Sequence, residues 1–96
     1  STPTHLYICV LDKEHFHFAQ EIASDLRAQG LSVAIDFSGR KVGDQVKIAV
    51  KKKIPYSICI GEEEAKTRIF KLKNLARSEE HEITLKEIPQ CIIEGK

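Results

Sequence analysis

The chain has 96 residues, 42% of them hydrophobic and 30% charged, and a formal net charge of +1. That composition fits one globular domain, large enough to build a core without metal or disulfide staples, and the small charge argues against indiscriminate binding to nucleic acid. No apolar run approaches the ~18 residues that cross a bilayer, so no membrane segment is expected, and no signal-peptide pattern is read at the start.

Residues 5–11 (His-Leu-Tyr-Ile-Cys-Val-Leu) form a nearly continuous apolar run, which reads as a strand buried on both faces. Asp12 stands where it can cap the helix that follows. Phe18, Ala19, Ile22, Ala23 and Leu26 recur at helical steps and make one apolar stripe. Gly30 falls where a glycine closes a helix.

Residues 31–37 predict the second strand. A turn through Ser38 and Gly39 opens a second helix, with Val42, Val46, Ala49 and Val50 inward and Pro55 as its stop. Residues 56–60 predict the third strand. A β-α-β-α-β run demands a parallel core with helices on its faces.

The alternation then ends. Gly61 and Glu62, Glu63 and Glu64 read as an acidic turn. Residues 67–75 alternate apolar and basic side chains, as a strand with one wet face does. A polar turn over residues 76–81 and a short fifth strand over 82–85 complete an antiparallel edge hairpin. Thr84 and Glu87 have capping-box spacing for a last helix, which Pro89 would kink or delay. The expected fold is α/β: a three-layer, five-stranded mixed sheet, βαβαβ core plus edge hairpin, with three helices.

Charge is unevenly spread. Arg40, Lys41, Lys47, Lys51, Lys52 and Lys53 face Asp44 alone within residues 40–53. Such a patch is either a solvated helix face or a local attractor of phosphate. In open α/β sheets, ligands sit beyond the carboxyl ends of the parallel strands. Here those ends collect Asp36, Arg40, Lys41, Gly61 and Glu64, with Lys71 or Lys73 returning on the hairpin. A carboxylate there can accept from the Watson–Crick N–H groups of an unpaired guanine while lysines hold flanking phosphates, the usual way single-stranded RNA loops are read. The alternatives are solvated turn residues for the three glutamates and a turn or cap role for Asp36.

No catalytic constellation is legible. There is no P-loop and no Gly-x-Gly-x-x-Gly, and His15 and His17 are spaced so that they do not share a helix face. The three cysteines include no Cys-x-x-Cys pair, and reduced thiols are expected, with Cys9 and Cys59 acting as small hydrophobes. No methionine occurs, even at position 1, so a piece of a longer protein or a processed product is expected.

Read in order, several segments resemble the anticodon-binding domain of class II aminoacyl-tRNA synthetases, shared by the histidyl, prolyl, threonyl and glycyl enzymes. They are Asp25-Leu26-Arg27-Ala28-Gln29-Gly30-Leu31-Ser32-Val33, the Asp36-Phe37-Ser38-Gly39-Arg40-Lys41-Val42-Gly43 turn, Lys53-Ile54-Pro55-Tyr56, and Gly61-Glu62-Glu63-Glu64. The Ser38–Lys41 turn and the Phe70-Lys71-Leu72-Lys73-Asn74-Leu75 strand are most similar to the histidyl branch. Pro89 departs from the family's usual closing helix.

The resemblance implies one domain over residues 1–96, at the C-terminus of a cytoplasmic, dimeric ligase, that recognises a tRNA anticodon loop. By motif position, Glu64 matches the base-contacting acid and Lys73 a basic residue facing the same loop. Gly39 falls where threonyl members carry a base-reading asparagine, so that contact is not carried over. Arg40, Lys41, Lys47 and Lys71 are candidates for phosphate contacts. The domain itself is expected to hold no cofactor, metal or catalytic residue, since ATP and Mg would belong to a catalytic domain that partners it. The other readings are the same fold reused as a protein-interaction or regulatory domain, and a small nucleotide binder, which the missing glycine-rich loop disfavours.

Overall fold

The computed structural model describes residues 3–96. Its first strand, β1 (Leu6–Val10), is buried at every position. Asp12 does not cap through its side chain; its carbonyl accepts the His15 N–H at 3.1 Å, closing a 3-10 turn over Lys13–His15. Helix α1 (Phe16–Ala28) buries Ala19, Ile22, Ala23 and Leu26. Gly30, at φ +95°, ends it: Gly30 N–H donates to Arg27 and Leu31 N–H to Leu26, at 3.0 and 3.1 Å, a Schellman closure.

Strand β2 is only Val33–Ile35, shorter than the apolar run suggests. Asp36 turns the chain away, and Phe37, 55% exposed, tilts against Phe16 with ring centroids 5.2 Å apart. Helix α2 (Val42–Lys51) follows. It ends before Pro55 because Lys53 takes φ +60° and the Ile54 N–H closes onto the Ala49 carbonyl at 3.0 Å. Val50, expected inward, is 55% exposed, and Gln45 is the fully buried residue of that helix together with Ala49.

Strand β3 (Tyr56–Ile60) lies where the sequence puts it. The acidic turn is a short helix, α3 (Glu62–Thr67), closed by Arg68 in the left-handed region at φ +56°. Strands β4 (Ile69–Asn74) and β5 (Glu79–Thr84) form the edge hairpin. Strand β5 is longer than expected: it runs in register with all of β4, from Glu79 opposite Asn74 to Thr84 opposite Ile69, and places Glu80 and Glu82 across from Lys73 and Lys71. The Thr84–Glu87 box forms, with both Thr84 N–H and hydroxyl donating to Glu87 Oε1 at 2.9 Å. A 3-10 turn then leads into α4 (Ile88–Ile93), whose first turn accepts Pro89 without a kink.

The sheet order is β2-β1-β3-β4-β5, parallel among β1, β2 and β3 and antiparallel from β3 onward. One face carries the larger core, with Leu6, Ile8, Val10, Ile58, Phe70 and Leu72 under α1 and Ile88 of α4. The other face packs Tyr7 and Cys9 against Ala49 and Ile54. The expected three-layer α/β architecture is observed, with α3 as an additional short helix. Helix α2 touches β1 and β3, so the hairpin side of that second face is left open.

Candidate nucleic-acid interface

Strands β1 and β3 end side by side, and the Leu11 N–H donates to the Ile60 carbonyl at 2.9 Å. In this strand order the chain reverses its direction of winding here, at the point where open α/β sheets present a crevice. Gly61 permits the close approach: a Cβ there would lie 2.6 Å from Leu11 Cδ2. Its N–H donates to Glu64 Oε1 at 2.9 Å, so the carboxylate is held at the first turn of α3, where negative charge is favoured.

On the β2 side, the Asp36 carboxylate accepts from the Tyr7 hydroxyl at 2.7 Å and from the Ser38 N–H at 2.8 Å, as well as from the Ser38 hydroxyl. Burial disfavours its charge, but these hydrogen bonds and the nearby Arg40 outweigh it and hold its pKa below the ordinary value. Burial and the same Asp36 bond push the Tyr7 hydroxyl up. Asp36 is therefore a turn organiser.

Gln45 completes the frame. Its Oε1 accepts the Val10 N–H at 2.8 Å, and its Nε2 donates to the carbonyls of Val10 and Arg40 at 2.9 and 2.7 Å. Once β2 has turned away at Asp36, Val10 has no strand neighbour on that side, and the glutamine amide supplies the missing pairing.

Between α2 and the hairpin lies a groove of about 500 Å³. Val42, Gly43 and Val46 of α2 form one wall, Ser57 and Cys59 of β3 the floor, and Glu64, Lys71, Lys73 and Glu80 the far wall, with Leu11 at the end. Lys73 stands in register with Ser57 on one side and Glu80 on the other. The first N–H groups of α2 lie at the Val42–Gly43 wall and add partial positive charge. A smaller hollow of about 220 Å³ adjoins it and shares Glu64 and Lys71.

Of the six residues selected from sequence, Glu64, Lys71 and Lys73 line this one groove. Arg40 and Lys41 are exposed in the turn that leads into its α2 wall. Lys47 points elsewhere: it is exposed, 4.0 Å from Asp44 Oδ1, and not part of the lining. Sequence reading missed Ser57 and Cys59. Period two along β3 puts them on one face, opposite Tyr56, Ile58 and Ile60, and two small side chains there signal room. Gln45 gave no local signal. Among the described residues, Asp12, Glu14 and His15 bring ligand atoms within 4.8 Å of one another, outside the groove lining. His17 is instead exposed beside Glu21.

Residues 5–95 match the family described as "Anticodon binding domain". The chain belongs to that family. It is 34% identical over 93 residues to a histidine–tRNA ligase of Cytophaga hutchinsonii, covering 97% of this chain and 20% of that protein. A histidine–tRNA ligase of Caldanaerobacter subterraneus subsp. tengcongensis is 39% identical over 87 residues, 91% of this chain and 21% of the relative. Among solved structures, histidyl-tRNA synthetase from Nostoc sp. PCC 7120 superposes with a TM-score of 0.88 at 29% identity, over 97% of this chain and 22% of that one. The domain thus spans about a fifth of the length of the ligases it matches, and it is best matched by the histidyl members of the class II synthetases.

Proposed function

We propose that this domain recognises the anticodon loop of a tRNA as part of a class II ligase, and that the ligase is a histidine–tRNA ligase. One observation carries the reading. In a chain of this family, a capped carboxylate (Glu64) and two lysines (Lys71, Lys73) line one groove at the β1/β3 strand ends. Only one oxygen of Glu64 is engaged by Gly61, which leaves the other to accept from a base edge. Lys71 and Lys73 are free of ion pairs among the described residues, whereas Lys47 and Lys66 sit beside Asp44 and Glu62. Bases splayed into the groove would be read by Glu64, with phosphates held by Lys71, Lys73, Arg40 and Lys41 and more remotely by Lys47.

Aminoacylation would belong to a catalytic domain of the parent enzyme, working in a dimer. Two glutamates and two lysines share the groove lining, a balance that suits single phosphates spaced along an RNA strand better than the concentrated negative charge of a triphosphate.

The test is a titration with a histidine-tRNA anticodon stem-loop and a scrambled-anticodon control, at low and moderate salt. Cognate preference that depends on Glu64 is the expected result. Equal affinity for both loops at low salt, in a folded domain, would overturn anticodon reading and point to a protein partner for the fold.

A further inference from the structure

Cys9 and Cys59 are partners in register on the neighbouring parallel strands β1 and β3, so both side chains leave the same face of the sheet. Cys9 is fully buried with Tyr7, Ala49 and Ile54. Cys59 packs against that cluster but is only half-buried, and it forms part of the groove floor. Neighbouring strands lie about 4.8 Å apart, inside the Cα separation of about 4.4–6.8 Å that a disulfide spans. Both thiols are free.

The two sulfurs also differ in how readily they ionise. A hydrogen bond from the Cys9 thiol lowers the pKa of Cys59; burial, Glu64 and Glu80 oppose this, and Lys73 assists it. The same hydrogen bond, burial and the neighbouring charges push Cys9 up. An accessible thiol beside a buried second thiol is the arrangement in which oxidation stops reversibly at a disulfide.

We propose that Cys59 is a covalent modification site, oxidised through the groove by hydroperoxides and closed by Cys9 into an intramolecular disulfide. The Cys59 thiolate attacks one peroxide oxygen and the O–O bond breaks. Sulfur keeps a hydroxyl as sulfenic acid, and the other oxygen leaves as water with the thiol proton. The Cys9 sulfur then attacks the Cys59 sulfur, the S–O bond breaks, and the hydroxyl leaves with the Cys9 proton as a second water. Two thiols lose two electrons in all, and one hydrogen peroxide becomes two waters. Access sets the order, because Cys9 is 0% exposed and cannot meet the oxidant first. Cys91, on α4 and packed against the core on the other face, is an internal control. The inference holds whatever the groove binds.

The experiment is stepwise hydrogen peroxide treatment of the reduced domain, followed by alkylation after unfolding and peptide mass mapping. Expected is a Cys9–Cys59 crosslinked peptide, with Cys91 still alkylated and all thiols restored by dithiothreitol. Cys9→Ala should instead leave a dimedone-reactive sulfenic acid on Cys59, and Cys91→Ser should change nothing. Should Cys9→Ala fail to fold, mapping of the unsubstituted domain decides. Oxidation of Cys91 before Cys59, or no Cys9–Cys59 crosslink at peroxide levels that consume Cys59, would overturn the proposal.

Discussion

The side-chain amide of Gln45 pairs with both backbone groups of Val10, at 2.8 Å to the N–H and 2.9 Å to the carbonyl. It thereby locks α2 to the end of β1 and, through the Arg40 carbonyl at 2.7 Å, fixes the turn that carries Arg40 and Lys41. Gln45 is fully buried and Val10 is 1% exposed, so the Val10 groups have no water to fall back on.

Gln45→Leu should therefore destabilise the domain by about 2–4 kcal/mol, since buried backbone groups left unpaired cost roughly 1–3 kcal/mol each and the leucine recovers part through its own burial. Urea unfolding of the substituted and unsubstituted domains measures it. A loss below about 0.5 kcal/mol would mean that water replaces the amide.

Asp36 predicts the acid limb of stability. Its folded pKa lies below the unfolded value of about 3.9. Its contribution is thus fully present above that value and is lost as pH falls through the lowered folded pKa. Asp36→Asn should reduce stability at neutral pH and flatten the decline below about pH 4, where the unfolded carboxyl begins to protonate. Tyr7→Phe removes one of the donors at 2.7 Å and should flatten it less. Denaturant midpoints across pH 2–7 provide the check, and unchanged slopes for Asp36→Asn would contradict this assignment.

Where the sequence was legible, local pattern and tertiary demand agreed. Tyr56–Ile60 is β-rich, bounded by Pro55 and Gly61, and buried on both faces or nearly so. Helix α3 was read as a turn because Glu-Glu-Glu-Ala-Lys-Thr has no apolar stripe and buries nothing; its start is specified by one glutamate returning to Gly61. Strand β5 buries Ile83 alone and is held by its backbone register along the whole of β4, which hydrophobic alternation does not report. The exchange of Val50 for Gln45 has a tertiary cause. A polar residue faces inward only because β2 ends early and leaves Val10 unpaired, and nothing within α2 announces that. The candidate site was half legible: Glu64, Lys71 and Lys73 converge, but the floor at Ser57 and Cys59 needs the sheet register to appear.

The lysines separate by position. Lys71→Ala and Lys73→Ala should each weaken cognate and scrambled stem-loops alike and lower the salt slope by about 0.7, the value for one single-strand phosphate contact. Lys47→Ala, outside the lining and beside Asp44, should weaken binding less than either. Salt-dependent titrations of the three variants test the order. A larger loss from Lys47 would move the RNA path from the groove to the outer face of α2.

Glu64 has two jobs that substitution can divide. Its Oε1 caps Gly61, and a cap of this kind is worth about 1 kcal/mol. Glu64→Gln keeps an amide oxygen for that bond but replaces the second acceptor with a donor and removes the charge. It should leave the unfolding midpoint nearly unchanged while abolishing preference for the cognate loop, because the position left free by Gly61 no longer accepts from the N–H groups of a base edge. Glu64→Ala should lose both the preference and the cap. Measuring stem-loop selectivity together with the melting temperature separates the two effects. If Glu64→Gln retains full selectivity, the carboxylate is a cap alone, and base reading must be sought among the other groove residues.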